Sequence, residues 1–162
     1  MDEISIRRAE RFDVATLLHL IRALAAFEKL AHEVRATEAD LLRAGFGPTP
    51  YFEALIVEIG GEPVGFALFF HNFSAFEGTS GLFLEDLFIA EKARGRGIGR
   101  KLMAKLAAIA LERGCARLDL SVLHWNPARS FYERLGMSHL DDWLPYRLTG
   151  SGLAALAAEA KD

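Results

Sequence analysis

Cysteine is nearly missing from this chain: Cys115 is the one thiol in 162 residues, so no intrachain disulfide can form and a fold of stapled loops is excluded. Its position behind Gly114 at a helix end, with no basic cluster next to it, marks a buried, inert thiol rather than a nucleophile. No apolar run reaches the length of a membrane span, and the opening Met1-Asp2-Glu3-Ile4-Ser5-Ile6 is acidic where a signal peptide is basic. A cytoplasmic protein with no membrane partner is therefore expected. Positive charge is not in excess: 19 Lys and Arg stand against 22 Asp and Glu, a net charge of −3, which gives no general attraction to nucleic acid or anionic lipid. His71, His124 and His139 lack metal-ligand spacing, so no metal is expected. Repeats and linkers are also missing, and the length suits a single domain over residues 1–162.

What is present alternates between strand and helix patterns. Ile4 and Ile6 alternate with polar neighbours as a short strand, and Val14, Leu17, Leu18, Ile21, Leu24 and Ala25 recur at helical spacing. Thr37-Glu38-Ala39-Asp40 has the form of a capping box before a short helix that Gly45, Gly47, Pro48 and Pro50 end. Tyr51 to Ile59 and Pro63 to Phe70 are apolar strand runs joined by Gly60-Gly61, a hairpin signature. Asn72 to Gly81 reads as a polar loop before an apolar strand, Gly81 to Ala90. A long helix carries Ile98, Leu102, Leu106, Ile109 and Ala110 on one face. Leu118, Leu120 and Val122 form the next strand, Pro127 starts a helix that Gly136 ends, and Met137 to Leu148 supply a final strand or hairpin. The alanine-rich tail from Gly152 to Lys161 reads as a helix. The phenylalanines lie mostly in the strands and read as core rather than a stacking platform for bases.

Chemistry concentrates at Arg94-Gly95-Arg96-Gly97-Ile98-Gly99-Arg100, between the apolar strand and the long helix. Glycines allow close approach and positive φ, the first helical N–H groups have no intrahelical partner, and the helix dipole favours an anion, so a basic glycine turn here is a place to hold phosphate. Two familiar phosphate loops fail on spacing. A P-loop needs Lys-Ser/Thr after its last glycine, where this chain has Arg100-Lys101-Leu102, and a dinucleotide fingerprint finds Arg100 or Leu102 where its third glycine belongs. A second feature is Glu85-Asp86, adjacent carboxylates inside an apolar strand. Alternation sends them to opposite faces unless the strand is bulged, and a carboxylate in an apolar wall has its pKa pushed up toward a value useful for a base.

The spacing Arg-x-x-Gly-x-Gly resembles that of the GNAT superfamily of acetyl-CoA-dependent N-acetyltransferases. The likeness extends over Ala9 to Leu30, Leu84-Glu85-Asp86-Leu87-Phe88, Trp125-Asn126 and Phe131-Tyr132-Glu133-Arg134-Leu135-Gly136, and is strongest to the diamine (spermidine/spermine) acetyltransferase branch. The resemblance implies an α/β fold with a mixed, mostly antiparallel central sheet flanked by helices, and transfer of acetyl from acetyl-CoA to a primary amine. It implies coenzyme contacts from the backbone of Leu87, Phe88 and Ile89, from Arg94, Gly95, Arg96, Gly97, Ile98, Gly99 and Arg100, and from Asn126. By the same likeness Glu85 is the base, acting through water, Tyr132 the acid, and Phe27, Glu28, Glu85 and Asp86 the acceptor site. Homodimers are common in that branch.

Departures from the branch bear on the substrate. The branch has one more residue between its Trp-Asn and Phe-Tyr pairs, which bears on Asn126. It has acidic and tryptophan residues where this chain has Ser74, Ala75, Phe76 and Glu77, and a tyrosine in place of Phe27. Part of the carboxylate ladder that holds a polyamine is thus missing, with Glu28, Glu77, Asp141 and Asp142 available to rebuild it. A diamine or a lysine-like amino acid is as suitable an acceptor as spermidine. The competing readings are a non-catalytic acyl-CoA-binding or sensing domain and a peptide N-acetyltransferase.

Overall fold

The computed structural model describes residues 2–160, which fall into two units that meet in sequence at Asn126 and Pro127. The first is built on a five-stranded sheet in the order β1-β2-β3-β4-β5: β1 (Ile4–Arg8), β2 (Glu53–Ile59), β3 (Glu62–Ser74), β4 (Thr79–Ile89) and β5 (Leu118–Leu120). The first four strands pair antiparallel and β4 pairs β5 in parallel. This is the mixed, mostly antiparallel sheet the sequence implied.

Three helices cover the sheet of the first unit: α1 (Val14–Phe27), α2 (Glu38–Phe46) and α3 (Ile98–Glu112). Leu17, Leu18, Leu20 and Leu24 of α1 pack with Leu41 of α2 on Ala54, Ile56, Phe66, Leu68 and Phe88 of the sheet. The alternate residues Leu55, Val57, Ala67 and Phe69 are just as buried, and α3, which packs on β4 and β5, buries Ile98, Leu102, Leu106 and Ile109. A sheet covered on both faces has continuous apolar strands. The capping box forms as expected, Asp40 N–H donating to Thr37 Oγ1 and Thr37 N–H to Asp40 Oδ2. Gly60 and Gly61 turn the β2–β3 hairpin with φ of 58° and 82°, the mirror-image turn that matches strand twist.

Two features of the sheet depart from the sequence reading. The polar stretch Asn72 to Gly81 is not a loop throughout: Asn72↔Gly81, Phe73↔Ser80 and Ser74↔Thr79 continue the β3–β4 ladder, leaving residues 75–78 as the turn. Its polarity reflects solvent around a projecting hairpin rather than the absence of a strand. β4 also carries a bulge. Register passes from Leu68↔Asp86 to Phe69↔Leu84, so Glu85 has no partner. The extra residue moves Asp86 onto the face of Leu68 and Phe88, beneath α1, while Leu84 lies on the opposite face.

The second unit contains α4 (Ala128–Arg134) and α5 (Gly150–Ala157). Pro127 caps α4, and Gly136 follows it with φ 94°. The final strand or hairpin expected over Met137 to Leu148 does not form: the described residues of that segment contribute no strand. An extended segment counts as a strand only when a neighbour takes up its backbone groups. Trp143, Leu144 and Tyr146 within it are 75%, 74% and 93% exposed.

Candidate active site

β4, the glycine turn, α3 and β5 form a strand–helix–parallel strand unit, and the turn sits at the carboxyl end of β4, where such units place ligands. After Ile89 the chain makes one 3-10 turn, Glu91–Ala93. Gly95 and Gly97 follow with φ of 79° and 72°, and Gly97 precedes the first residue of α3. A Cβ at either glycine would meet nothing within 4 Å. Glycine is thus required by backbone conformation, and the face it leaves bare stays open to a ligand. The first intrahelical bond is Lys101 N–H to the Gly97 carbonyl, which leaves the earlier N–H groups of α3 directed out of the helix. Arg96 and Arg100 are exposed beside them. An open turn, outward amides and local positive charge fit a diphosphate.

Beside the turn, β4 has an open edge. β5 pairs with it at Leu82, Phe83 and Leu84 alone, so residues 85–89 have no strand neighbour on that side among the described residues. The Ala90 N–H donates to Val64 of β3, the Phe88 carbonyl lies against Gly65 of β3, and the Ile89 carbonyl is turned the other way, accepting from Arg94 Nε at 2.8 Å. Alternation then puts the main-chain groups of Leu87 and Ile89 on the open side and those of Phe88 on the β3 side. The bulge at Glu85 sets this parity. An extended ligand arm can pair with Leu87 and Ile89, while the Phe88 ring is buried beneath α1.

The carboxylates gather at the bulge. Asp86 has its carboxyl pushed up to about 7, first by burial, then by the neighbouring charges of Glu85 and Glu28. Glu28, which caps the C-terminus of α1, is itself raised by burial. Glu85 is exposed. The apolar wall therefore holds Asp86 rather than Glu85, and the charges of Glu85 and Glu28 both bear on Asp86, with no guanidinium or ammonium among the causes of its shift. Such a cluster is relieved by a cation or a proton.

Aromatic rings border it. The Arg94 guanidinium stacks 4.8 Å from the Phe27 ring centroid and 5.8 Å from that of Phe88. Phe27 lies 6.3 Å from Trp125, and the Lys29 ammonium sits 5.0 Å over the Trp125 ring. Arg94, read in sequence as a coenzyme residue, is thus held against the rings of Phe27 and Phe88. Trp125 and Lys29 were not singled out as site residues; Lys29 has φ 61°, and nothing in its residue type signals a left-handed backbone. Asn126 closes a turn with its N–H on the Leu123 carbonyl. In the second unit, Tyr132 lies on α4 with its ring 5.3 Å from Phe131. Among the described residues no group of three His, Cys, Asp or Glu side chains is placed to hold a metal ion, and no helix is long and apolar enough to cross a membrane.

Comparison with known proteins bears directly on this geometry. The profile of the acetyltransferase (GNAT) family matches residues 15–137. A thialysine N-epsilon-acetyltransferase from Bos taurus is 38% identical over 168 residues, spanning 96% of this chain and 98% of that protein. A spermidine/spermine N(1)-acetyltransferase-like protein from Homo sapiens is 34% identical, spanning 98% of this chain and 24% of that longer protein. Among solved structures, an integron cassette protein from the mobile metagenome of V. cholerae superposes with a TM-score of 0.79 at 29% identity, over 95% of this chain and 97% of that one.

Proposed function

The chain belongs to the acetyltransferase (GNAT) family and is an acetyl-CoA-dependent N-acetyltransferase, and from that premise we propose that its acceptor is the primary amine of a small molecule: a diamine, a polyamine or a lysine-like amino acid. The observation that carries this reading is the Glu28, Glu85 and Asp86 cluster bordered by Phe27. An amine arrives as an ammonium, which this cluster attracts, and must lose its proton before it can attack.

The proton falls to the carboxylate pair at the bulge. Glu85, exposed to water, takes it through a water molecule, while Asp86 in the apolar wall holds the ammonium in place. Asp86, whose carboxyl sits at about 7, changes charge near neutral pH, and an arriving ammonium draws it into the ionised form that holds the cation. Acetyl-CoA supplies the activated acetyl thioester. Gly95 to Arg100 would hold its diphosphate, with Leu87 and Ile89 pairing along its arm, and Asn126 a further contact by family likeness. Tyr132 holds at its phenolic oxygen the proton that the departing thiolate needs, a role resting on the Phe-Tyr-x-x-x-Gly resemblance. A cytoplasmic homodimer completes the proposal.

Thiol release from acetyl-CoA across diamines, polyamines, thialysine and peptides tests the reading. Release with small amines and none with peptides supports it; no release with any small amine overturns it. Tyr132→Phe is expected to lower kcat by about a hundredfold or more, the lower end of what a general acid typically contributes, with little change in acetyl-CoA affinity. Full activity of that variant across the pH range removes Tyr132 from the acid role.

A further inference from the structure

Beside the acid cluster, α1 ends in an unusual way. The Leu30 N–H reaches back to the Ala25 carbonyl at 2.7 Å and the Lys29 N–H to Ala26 at 3.2 Å, the bonds of a Schellman cap, whose left-handed residue is ordinarily glycine. Here it is Lys29, the one non-glycine residue with positive φ among those described. Glycine would close this helix without strain, so the turn itself does not call for a lysine. The side chain lies with its ammonium 5.0 Å over Trp125, directly after Glu28 and one ring away from Phe27. A ring face is a weak resting place for an exposed ammonium, and a carboxylate displaces it readily.

Charge on this side of the site is therefore ordered. Glu28, Glu85 and Asp86 take the ammonium that will be acetylated, while the cations of Arg94 and Lys29 rest on the neighbouring rings of Phe27 and Trp125. Arg94 is pinned by the Ile89 carbonyl and two rings; Lys29 is exposed and rests on the Trp125 face. A diamine or polyamine would bring a second ammonium toward these cations. An amino acid with an amine on its side chain would bring an α-carboxylate.

We propose that Lys29 is a specificity-determining residue that reads the α-carboxylate of the acceptor, selecting α-amino acids with a side-chain primary amine over amines that lack the carboxylate. The proposal rests on the small-amine reading above and names the class within it. Trp125 stores the Lys29 ammonium until the acceptor arrives.

Matched pairs that differ in the carboxylate alone test it: lysine against cadaverine and ornithine against putrescine, by kcat/KM with the purified full chain. The wild type is expected to favour the amino acid of each pair by about tenfold or more, the scale of one charge-assisted hydrogen bond. Lys29→Gln and Lys29→Gly, the latter suited to the backbone, lose about tenfold more on the amino acids than on the diamines, and Lys29→Arg restores the preference. A wild type without the preference, or variants that keep it, overturn the role of Lys29 while leaving amine acetylation standing. No thiol release with any of the four amines, thialysine or spermidine overturns the transfer reading and this inference together.

Discussion

At the scale of single residues, Asp86 makes folding depend on pH. Its carboxyl sits at about 7 in the folded chain against an ordinary 3.8, so between those values the native state keeps a proton that the unfolded chain has given up. Stability contributed there falls as pH rises from about 4 to about 7 and is level beyond. Asp86→Asn should raise the thermal midpoint at pH 8 and leave it nearly unchanged at pH 4, with a gain of up to about 4 kcal/mol at the higher pH. Melts at both values check it, and equal shifts would contradict the burial assigned to this carboxyl. Glu53 has the opposite sign, because its bond to Arg113 holds it below the ordinary carboxylate range. Its contribution is present above its unfolded value and is lost on acidification. The pairing of Glu85 and Asp86 was legible in sequence as two carboxylates in an apolar run. Which of them would be buried was not, because an extra residue in one strand leaves the hydrophobic pattern on both sides intact and merely shifts its phase.

At the scale of elements, the strand, the glycine turn and the helix that follows it were legible, since glycines, arginines and helical periodicity coincide there. The open edge of β4 was not: it exists because β5 is three residues long, and alternation through Val122 suggested a longer strand. Gly97→Asp tests the turn. Space is no obstacle, and an aspartate at a helix start usually helps the helix, so the folding cost is that of a left-handed backbone, about 1–2 kcal/mol. Binding suffers separately, because a fixed negative charge takes the place of the ligand's own. Calorimetry should show acetyl-CoA affinity reduced by at least about tenfold, or 1.4 kcal/mol, while Gly97→Ala, which carries only the backbone cost, retains more of it. Equal affinities for the two variants would count against an anion at this helix end.

At the scale of the whole molecule, the segment between α4 and α5 leaves Trp143, Leu144 and Tyr146 largely exposed, large apolar side chains close together in sequence. The proposed homodimer would bury them, so light scattering should give twice 17.9 kDa for the wild type and a single chain for Trp143→Glu combined with Tyr146→Glu. A wild-type chain of single mass at micromolar concentration removes the dimer. The sequence signalled a strand here through its apolar content, and a strand cannot be read from one chain's pattern when its pairing partner is not in that pattern. Cys115, 7% exposed between Ser80 and His71, has a practical consequence. A thiol-specific dye added to the acetylation assay would register the freed coenzyme without background from the native enzyme, and in the absence of substrate its slow uptake would time the opening of the first unit.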